Sequence, residues 1–500
     1  MVTAENIGVR WGEATSSSRR LSFAITAEWV FLVCFVGGLA WVPYWCGSDR
    51  LIAWGVNAVL FPGLAALYEL SLLLRGAPHP VPIKRIRLSA GLFVAVAVWI
   101  FLQDVSWVPT AWQHPIWGLA SDALGWPVAG RISVDPELTT LALLRLLTAA
   151  STFWLALQLS RNATRARLLI WSVVGISACY AAVGIFAFGF MPNGRLFAEF
   201  GPTKFMTSTF VNQNNYVAFA GIGLIASVAV LLKLYRQEFR QSGDLLRLKI
   251  ATLIRTTGSR AALPLAVATV ILAALLLTGS RGGIISTLFG LLTLFILNAR
   301  REGRVGWNEA LLVVFAALLV GVAFVGFGDV LVGRIAAKGL YDPGRPAVLL
   351  VTLRSILSAP LLGFGYGTFS TAFPMFRDDS IGGSLVWDKA HDTYIEIFQG
   401  LGLLFGAALI ACVVILVWEC MRGARTRRRN ATIPAIAASI SVLIGINAFV
   451  DFSLEIQAVT LTYMAVLGAG VAQAREDDLP NDQANARSIS PFPKGLEQTQ

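Results

Sequence analysis

The stretch AHDTYIEIFQGLGLLFGAALIACVVILVW (residues 390–418) decides what kind of chain this is. His391, Asp392 and Glu396 crowd its first seven residues, and no charged residue follows up to Trp418. About 20 mostly apolar residues are enough to cross the hydrocarbon core of a bilayer as a helix. The stretch therefore predicts a membrane-spanning helix with a cluster of ionisable residues at its N-terminal end.

The rest of the composition agrees with a membrane protein. Hydrophobic residues make up 56% of the chain, charged residues only 14%, and the mean hydropathy is +0.67, whereas soluble proteins carry about 25% charged residues. We predict an all-α polytopic membrane protein with twelve transmembrane helices, near residues 22–44, 51–74, 88–103, 138–158, 168–190, 214–234, 261–279, 282–299, 309–328, 392–418, 431–450 and 456–473.

Basic residues predict the orientation of these spans. With a cytoplasmic N-terminus, the cytoplasmic segments hold 28 of the 40 Lys and Arg residues and the opposite side holds 11, as the positive-inside rule requires. The predicted organisation is a cytoplasmic N-terminus (1–21), a twelve-span membrane domain (22–474) and a disordered cytoplasmic tail (475–500). The net charge of +11 is thus explained by topology and contact with anionic membrane lipids, and it gives no reason to expect nucleic-acid binding.

The longest predicted extracytoplasmic loop covers residues 329–391. Within it, RPAVLLVTLRSILS (345–358) has apolar residues at helical spacing and predicts an amphipathic helix at the membrane surface. SAPLLGFGYGTF (358–369) follows, and its closely spaced glycines predict a tight, irregular backbone. A Trp-rich segment (103–137) on the same side predicts a re-entrant or surface-lying structure.

Three arginines on this side are candidate site residues. Arg281 lies in TGSRGG at the start of a span, where glycine N–H groups and a helix N-terminus favour binding of an anion. The alternative is that its side chain extends to the membrane–water interface without binding a ligand. Arg345 begins the amphipathic segment, and anion binding and interfacial anchoring are equally compatible with its place. For Arg354, surface anchoring is the favoured role over substrate binding.

The polar cluster at residues 388–396 also allows two interpretations. A neutral imidazole at His391 can accept a proton near pH 7, and a nearby carboxylate can orient it. The carboxylates can instead cap the helix, with Asp388 or Asp392 at its start. Glu396 shares a helix face with Asp392. Asn212 and Asn215 are candidate substrate-binding residues, with a polar cap on the sixth span as the alternative.

Several kinds of site are missing from the sequence. The three histidines show no metal-ligand spacing, and the sequence contains no Walker motif, dinucleotide fingerprint or GxSxG elbow. We therefore expect no metal and no cofactor.

Five blocks in order over the C-terminal part of the chain resemble the O-antigen ligase and polymerase superfamily. They are FVNQNNYVAFAGI (210–222), TGSRGGIISTLFG (278–290), GRPAVLLVTLRSILSAPLLGFGYGTF (344–369), AHDTYIEIFQGLGLLFG (390–406) and VDFSLEIQAVTLTYMAVLGAG (450–470). Each block alone is weak, but their order and their shared predicted face make the resemblance specific. One departure is Asp392, which stands where the family often has asparagine.

The resemblance implies a metal-independent glycosyltransferase of the GT-C type in the bacterial inner membrane, with a periplasmic active site. It implies an undecaprenyl-diphosphate-linked glycan as donor. The acceptor is a lipid A-core sugar in the ligases and another lipid-linked glycan in the polymerases. Arg281 and Arg345 match the positions thought to hold the diphosphate, and His391 the position thought to act at the acceptor, with Asp392 as the other candidate base.

Two functions of other classes compete with this expectation. A twelve-span secondary transporter usually shows internal repeats and charged or broken helices at the midplane, and the sequence shows neither. A non-catalytic membrane partner in envelope assembly predicts that the arginines and His391 would not come together in space.

Overall fold

The computed structural model describes residues 26–239, 246–299, 344–379, 381, 387–427 and 431–475. The predicted N-terminal segment (1–21), the predicted span 309–328 and the tail beyond residue 475 lie outside these residues, as does the first part of the long predicted loop. All regular secondary structure within the described residues is helical.

Fifteen helices of α type are numbered here in chain order. They are α1 Thr26–Trp41, α2 Leu51–Arg75, α3 Arg87–Asp104, α4 Ile116–Leu124, α5 Pro136–Leu159, α6 Ala163–Phe190, α7 Gln213–Phe239, α8 Leu246–Gly258, α9 Ala262–Leu277, α10 Arg281–Ala299, α11 Gly344–Ser358, α12 Phe369–Ala372, α13 Thr393–Thr426, α14 Thr432–Asn447 and α15 Gln457–Gln473. Each predicted span that falls within the described residues coincides with one of them, and the helix predicted at 345–358 is confirmed as α11.

Among the described residues, seven helices are long and apolar enough to cross a membrane: α2, α3 with the turn before it, α5, α6, α7, α10 and α13. The chain is therefore a polytopic membrane protein. Helices α1, α9 and α14 are apolar but shorter, so the predicted total of twelve spans stays a prediction.

Helix α7 forms the centre of the bundle. Of its most apolar window 83% is buried, because α6, α9, α10 and α14 all pack around it. Small residues allow the close approach: a Cβ added at Gly223 would lie 2.3 Å from the Cβ of Ser177, and one added at Gly290 would lie 3.0 Å from the carbonyl oxygen of Ser439. Such small-residue contacts are the usual means of packing helices in lipid.

A break in α13 was not predicted from the sequence. Gly402 has φ 74° and ψ 172° inside the helix, and the Gly-rich loop predicted at 358–369 docks there. Backbone hydrogen bonds join Phe364 N–H to the Gln399 carbonyl at 3.0 Å and Leu403 N–H to the Pro360 carbonyl at 2.7 Å. The Gln103 side chain, near the end of α3, donates to the Gly400 carbonyl at 2.8 Å. The backbone groups released by the break thus find partners inside the protein, as non-helical backbone at a membrane helix requires.

The Trp-rich segment (103–137) contains the short helix α4 and lies on this Gly-rich loop. The ring of His114 is 5.4 Å from that of Phe364, and Val134 N–H donates to the Phe364 carbonyl at 3.0 Å. The segment therefore supports the loop, which in turn supports the break in α13.

Candidate active site

The candidate site is organised around the loop between α14 and α15, residues 448–456, which we call the junction loop. It leaves α14 through hydrogen bonds from Val450 N–H and Asp451 N–H to the Asn447 carbonyl, and it ends in a single 3-10 turn, Ser453–Glu455. The start of α13 is bonded directly to it, because Thr393 N–H donates to the Ala448 carbonyl at 2.8 Å.

His391 lies against the junction loop. Its Nδ1 is 3.7 Å from Oδ1 of Asp451, and their side chains are 23% and 3% exposed. The imidazole is also 5.1 Å from the ring of Phe452 and 5.8 Å from that of Trp387. Since 3.7 Å is too long for a hydrogen bond, Nδ1 is buried without a hydrogen-bond partner among the described residues. If Nδ1 of His391 and Oδ1 of Asp451 moved slightly closer, Asp451 would orient the ring by a hydrogen bond. Catalytic hydrogen bonds often shorten in this way only when substrate binds.

Asp392 is the N-cap of α13. Its carboxylate accepts hydrogen bonds from Tyr394 N–H at 2.9 Å and Ile395 N–H at 3.2 Å, which satisfies two of the free donors at the helix start. Glu396 reaches back and accepts a hydrogen bond from Ala390 N–H at 2.6 Å. The two carboxylates thus serve the local structure, while Nδ1 of His391, which precedes both in sequence, has no hydrogen-bond partner among the described residues.

Arg281 is the first residue of α10 and lies beside the same loop. The next residue, Gly282, is in close contact with Val450, since a Cβ added at Gly282 would lie 3.0 Å from Cγ2 of Val450. Nη1 of Arg281 is buried and has no hydrogen-bond partner in the described part of the chain. A guanidinium N–H left unsatisfied at a helix N-terminus is a donor available for an anion.

The start of α7 completes this side of the site. Val217 in its first turns packs on Gly283 of α10 so closely that a Cβ at Gly283 would lie 1.9 Å from Cγ1 of Val217. Asn212 caps α7, because its side chain accepts from Asn214 N–H at 2.8 Å. Asn215 is buried and accepts from the Ser453 hydroxyl at 3.2 Å. The geometry of both residues therefore favours the capping and packing role that the sequence left open.

The remaining predicted arginines fall in α11. Arg354 is 69% exposed and pairs with Asp378 at 2.8 Å, which favours the surface role that the sequence suggested. Arg345 is the second residue of α11, and its side chain lies outside what the structure describes.

Four functional candidates were missed by sequence reasoning. Asp451 and Glu455 belong to the junction loop, and Glu455 forms an ion pair with Lys389. Arg145, inside α5, donates to the backbone carbonyl of Glu455 and lies with Cζ 4.4 Å from the ring centre of Trp54. The available signal was two carboxylates in a short loop between apolar helices, because ionisable groups at such positions are costly and usually functional.

An apolar cavity ends at these charged residues. Its volume is about 410 Å³, and it lies between α3, α5, α13 and α15. The walls are mainly aliphatic and aromatic, with Phe93, Leu146 and Phe153 among them, and Arg145, Glu396 and Glu455 line its polar part. The cavity offers apolar space for a hydrocarbon chain next to the junction loop, against which His391 packs.

Comparison with known proteins identifies the central part of the chain. Residues 265–411 match the O-antigen ligase family, and this range contains Arg281, Arg345 and His391. No curated protein matches the chain. The matched range also contains the break in α13, the helix start that Asp392 caps and three of the five sequence blocks, so it supports the resemblance to the O-antigen ligase and polymerase superfamily. The chain is therefore a polytopic membrane protein whose residues 265–411 match the O-antigen ligase family.

Proposed function

We propose that the protein transfers a glycan from an undecaprenyl-diphosphate carrier to a sugar hydroxyl at the periplasmic face of the bacterial inner membrane. The acceptor is a lipid A-core sugar if the chain is a ligase and a lipid-linked glycan if it is a polymerase. The observation that supports the proposal is that the junction loop contacts both candidates. Asp451 lies 3.7 Å from Nδ1 of His391, and Val450 packs against Gly282, next to Arg281, whose Nη1 has no hydrogen-bond partner among the described residues.

The chemistry follows from these groups. His391 accepts the proton of the acceptor hydroxyl while the oxygen attacks the anomeric carbon of the donor sugar. The bond between that carbon and the diphosphate oxygen breaks, and the electron pair leaves with the diphosphate. Negative charge therefore grows on the leaving group, where Arg281, with Arg345 as the second predicted ligand, stabilises it. Asp451 stabilises the imidazolium that forms.

The surroundings support a lipid-linked donor. The apolar cavity beside the junction loop can take part of a polyisoprenyl chain. Because the site lies at helix ends of a membrane bundle, a carrier embedded in the bilayer can present its diphosphate there without leaving the lipid.

The first prediction tests this function with purified protein, an undecaprenyl-diphosphate-linked glycan and either lipid A-core or a second lipid-linked glycan. The rate of release of undecaprenyl diphosphate is measured. His391→Ala should lower kcat by about 100- to 10,000-fold, the contribution of a general base. Arg281→Ala should lower it by about 100-fold, the effect of removing one donor to a developing anion.

Arg354→Ala is the matched control for the loss of an arginine, and its activity should equal that of the wild type because Arg354 is exposed and paired at the surface. Transfer only to lipid A-core identifies a ligase, and transfer only to the lipid-linked glycan identifies a polymerase. Full activity of both His391→Ala and Arg281→Ala would contradict the site.

A further inference from the structure

A partly buried charge network adjoins His391. Lys389, two residues before it, pairs with the Glu455 carboxylate, and their side chains are 28% and 19% exposed. Arg145 donates to the backbone carbonyl of the same Glu455. The network thus ties three separate parts of the chain together: α5, the segment before α13 and the 3-10 turn of the junction loop.

The backbone of His391 needs such support. Its φ is +56°, a left-handed conformation that is unfavourable for a residue with a side chain. Strained residues of this kind persist only where their surroundings hold them. On one side Ala390 N–H is fixed by Glu396, and on the other Asp392 is fixed as the N-cap of α13. Lys389 links this short segment to the 3-10 turn of the junction loop, in addition to the bond between Thr393 N–H and the Ala448 carbonyl.

The ion pair stays charged over the neutral pH range. Burial alone would lower the pKa of Lys389, but the Glu455 and Glu396 carboxyls outweigh it and hold that pKa above its usual value. Burial alone would raise the pKa of Glu455, but Lys389 outweighs it and holds that pKa below its usual value. Removing either partner leaves the other partly buried without its counter-charge, which is costlier than losing a fully exposed pair.

We propose that the Lys389–Glu455 ion pair, anchored by Arg145, is the device that positions His391 against Asp451 and fixes its distance from the donor site. The three residues are positioning residues, since none of them needs to touch the reacting atoms. This inference rests on the proposed function for its kinetic consequence, whereas its structural consequence can be measured without any transfer.

The second prediction is tested on the full-length protein by two measurements, the rate of chemical labelling of His391 and the kcat for transfer. Diethyl pyrocarbonate labels accessible imidazoles, and mass spectrometry can follow His391 together with His79 and His114 as internal references. In Glu455→Gln and in Lys389→Met, we expect His391 to be labelled several-fold faster, because the segment that packs it between Trp387 and Phe452 is released. The kcat for transfer should fall about 10- to 100-fold, the effect of a displacement of about 1 Å at a catalytic group, with the donor KM within twofold of the wild type.

Two further variants separate positioning from a general loss of stability. Glu419→Gln removes an equally buried partner from the ion pair with Arg475, where Glu419 is 20% exposed, and it should change neither His391 labelling nor kcat. The charge-reversed double variant Lys389→Glu with Glu455→Lys should recover most of both properties, since it restores the pair.

The inference is overturned if His391 labelling and kcat both stay within twofold of the wild type in Glu455→Gln and Lys389→Met. It is also overturned if KM rises while kcat is unchanged. A wild-type protein that transfers no glycan, but whose His391 labelling responds to these variants as expected, would refute the proposed function and keep the positioning role.

Discussion

At the scale of single residues, the two aspartates nearest His391 have different environments. The carboxylate of Asp392 is occupied by two backbone N–H groups of α13, as an N-cap requires. The Asp451 side chain is 3% exposed, and its Oδ1, which accepts a hydrogen bond from Phe452 N–H at 2.8 Å, lies 3.7 Å from Nδ1 of His391. These contacts favour His391 over Asp392 as the proton acceptor in the proposed reaction.

The same substitution at both aspartates tests this assignment, as a third prediction. Asp392→Asn should retain the cap, since asparagine caps as well as aspartate, and kcat should stay within about twofold. Asp451→Asn presents an amide N–H to the imidazole and favours the wrong tautomer, so kcat should fall at least tenfold. Both variants should unfold at the temperature of the wild type within a few degrees. A large loss of kcat in Asp392→Asn alone would make Asp392 the base.

Sequence reasoning found those residues whose role is local. It identified the cluster at 388–396, its capping function and the arginine at the start of α10. It could not pair His391 with Asp451, or Lys389 with Glu455, because these partners lie on different loops whose contact depends on how α13, α14 and α15 pack. It also favoured a surface role for Arg354, which agrees with the exposed pair between Arg354 and Asp378.

At the scale of elements, the break in α13 and the Gly-rich loop form one structure. The sequence predicted the helix and the irregular loop separately, but their docking is a tertiary contact and had no local signal. Glycine is required at position 402 for two reasons: its φ is 74°, and an added Cβ would lie 2.4 Å from the carbonyl oxygen of Leu361. The docked loop fixes the direction of the short helical segment that carries Asp392 and Glu396.

The fourth prediction compares two glycine substitutions in spanning helices. Gly402→Ala should lower the free energy of unfolding by about 2 kcal/mol, since the left-handed conformation alone costs on the order of 1–2 kcal/mol before the clash. Gly175→Ala in α6 is the control, because an added Cβ there meets nothing within 4 Å and alanine favours a helix. Thermal unfolding in detergent should show a lower Tm for Gly402→Ala only. Equal Tm values would contradict the docking.

At the scale of the whole molecule, hydropathy was enough to predict a helical polytopic membrane protein. Apolar runs of spanning length are constrained to be helices in lipid, so each predicted span within the described residues is a helix. The predicted number of spans is not established, because helices α1, α9 and α14 are short for crossing a bilayer. What hydropathy could not supply is the arrangement that brings the starts of α7, α10 and α13 to one loop.

The central claim is that Arg281 and His391 belong to one site at the junction loop. The most direct test, and the fifth prediction, is protection of His391 from diethyl pyrocarbonate by undecaprenyl diphosphate, with undecaprenol as the control that lacks the diphosphate. In the wild type, undecaprenyl diphosphate should slow His391 labelling and undecaprenol should not. In Arg281→Ala, half-maximal protection should need about 100-fold more ligand, the loss expected for one charged donor. Equal protection of wild type and Arg281→Ala, or none in a wild type that transfers glycan, would contradict the account.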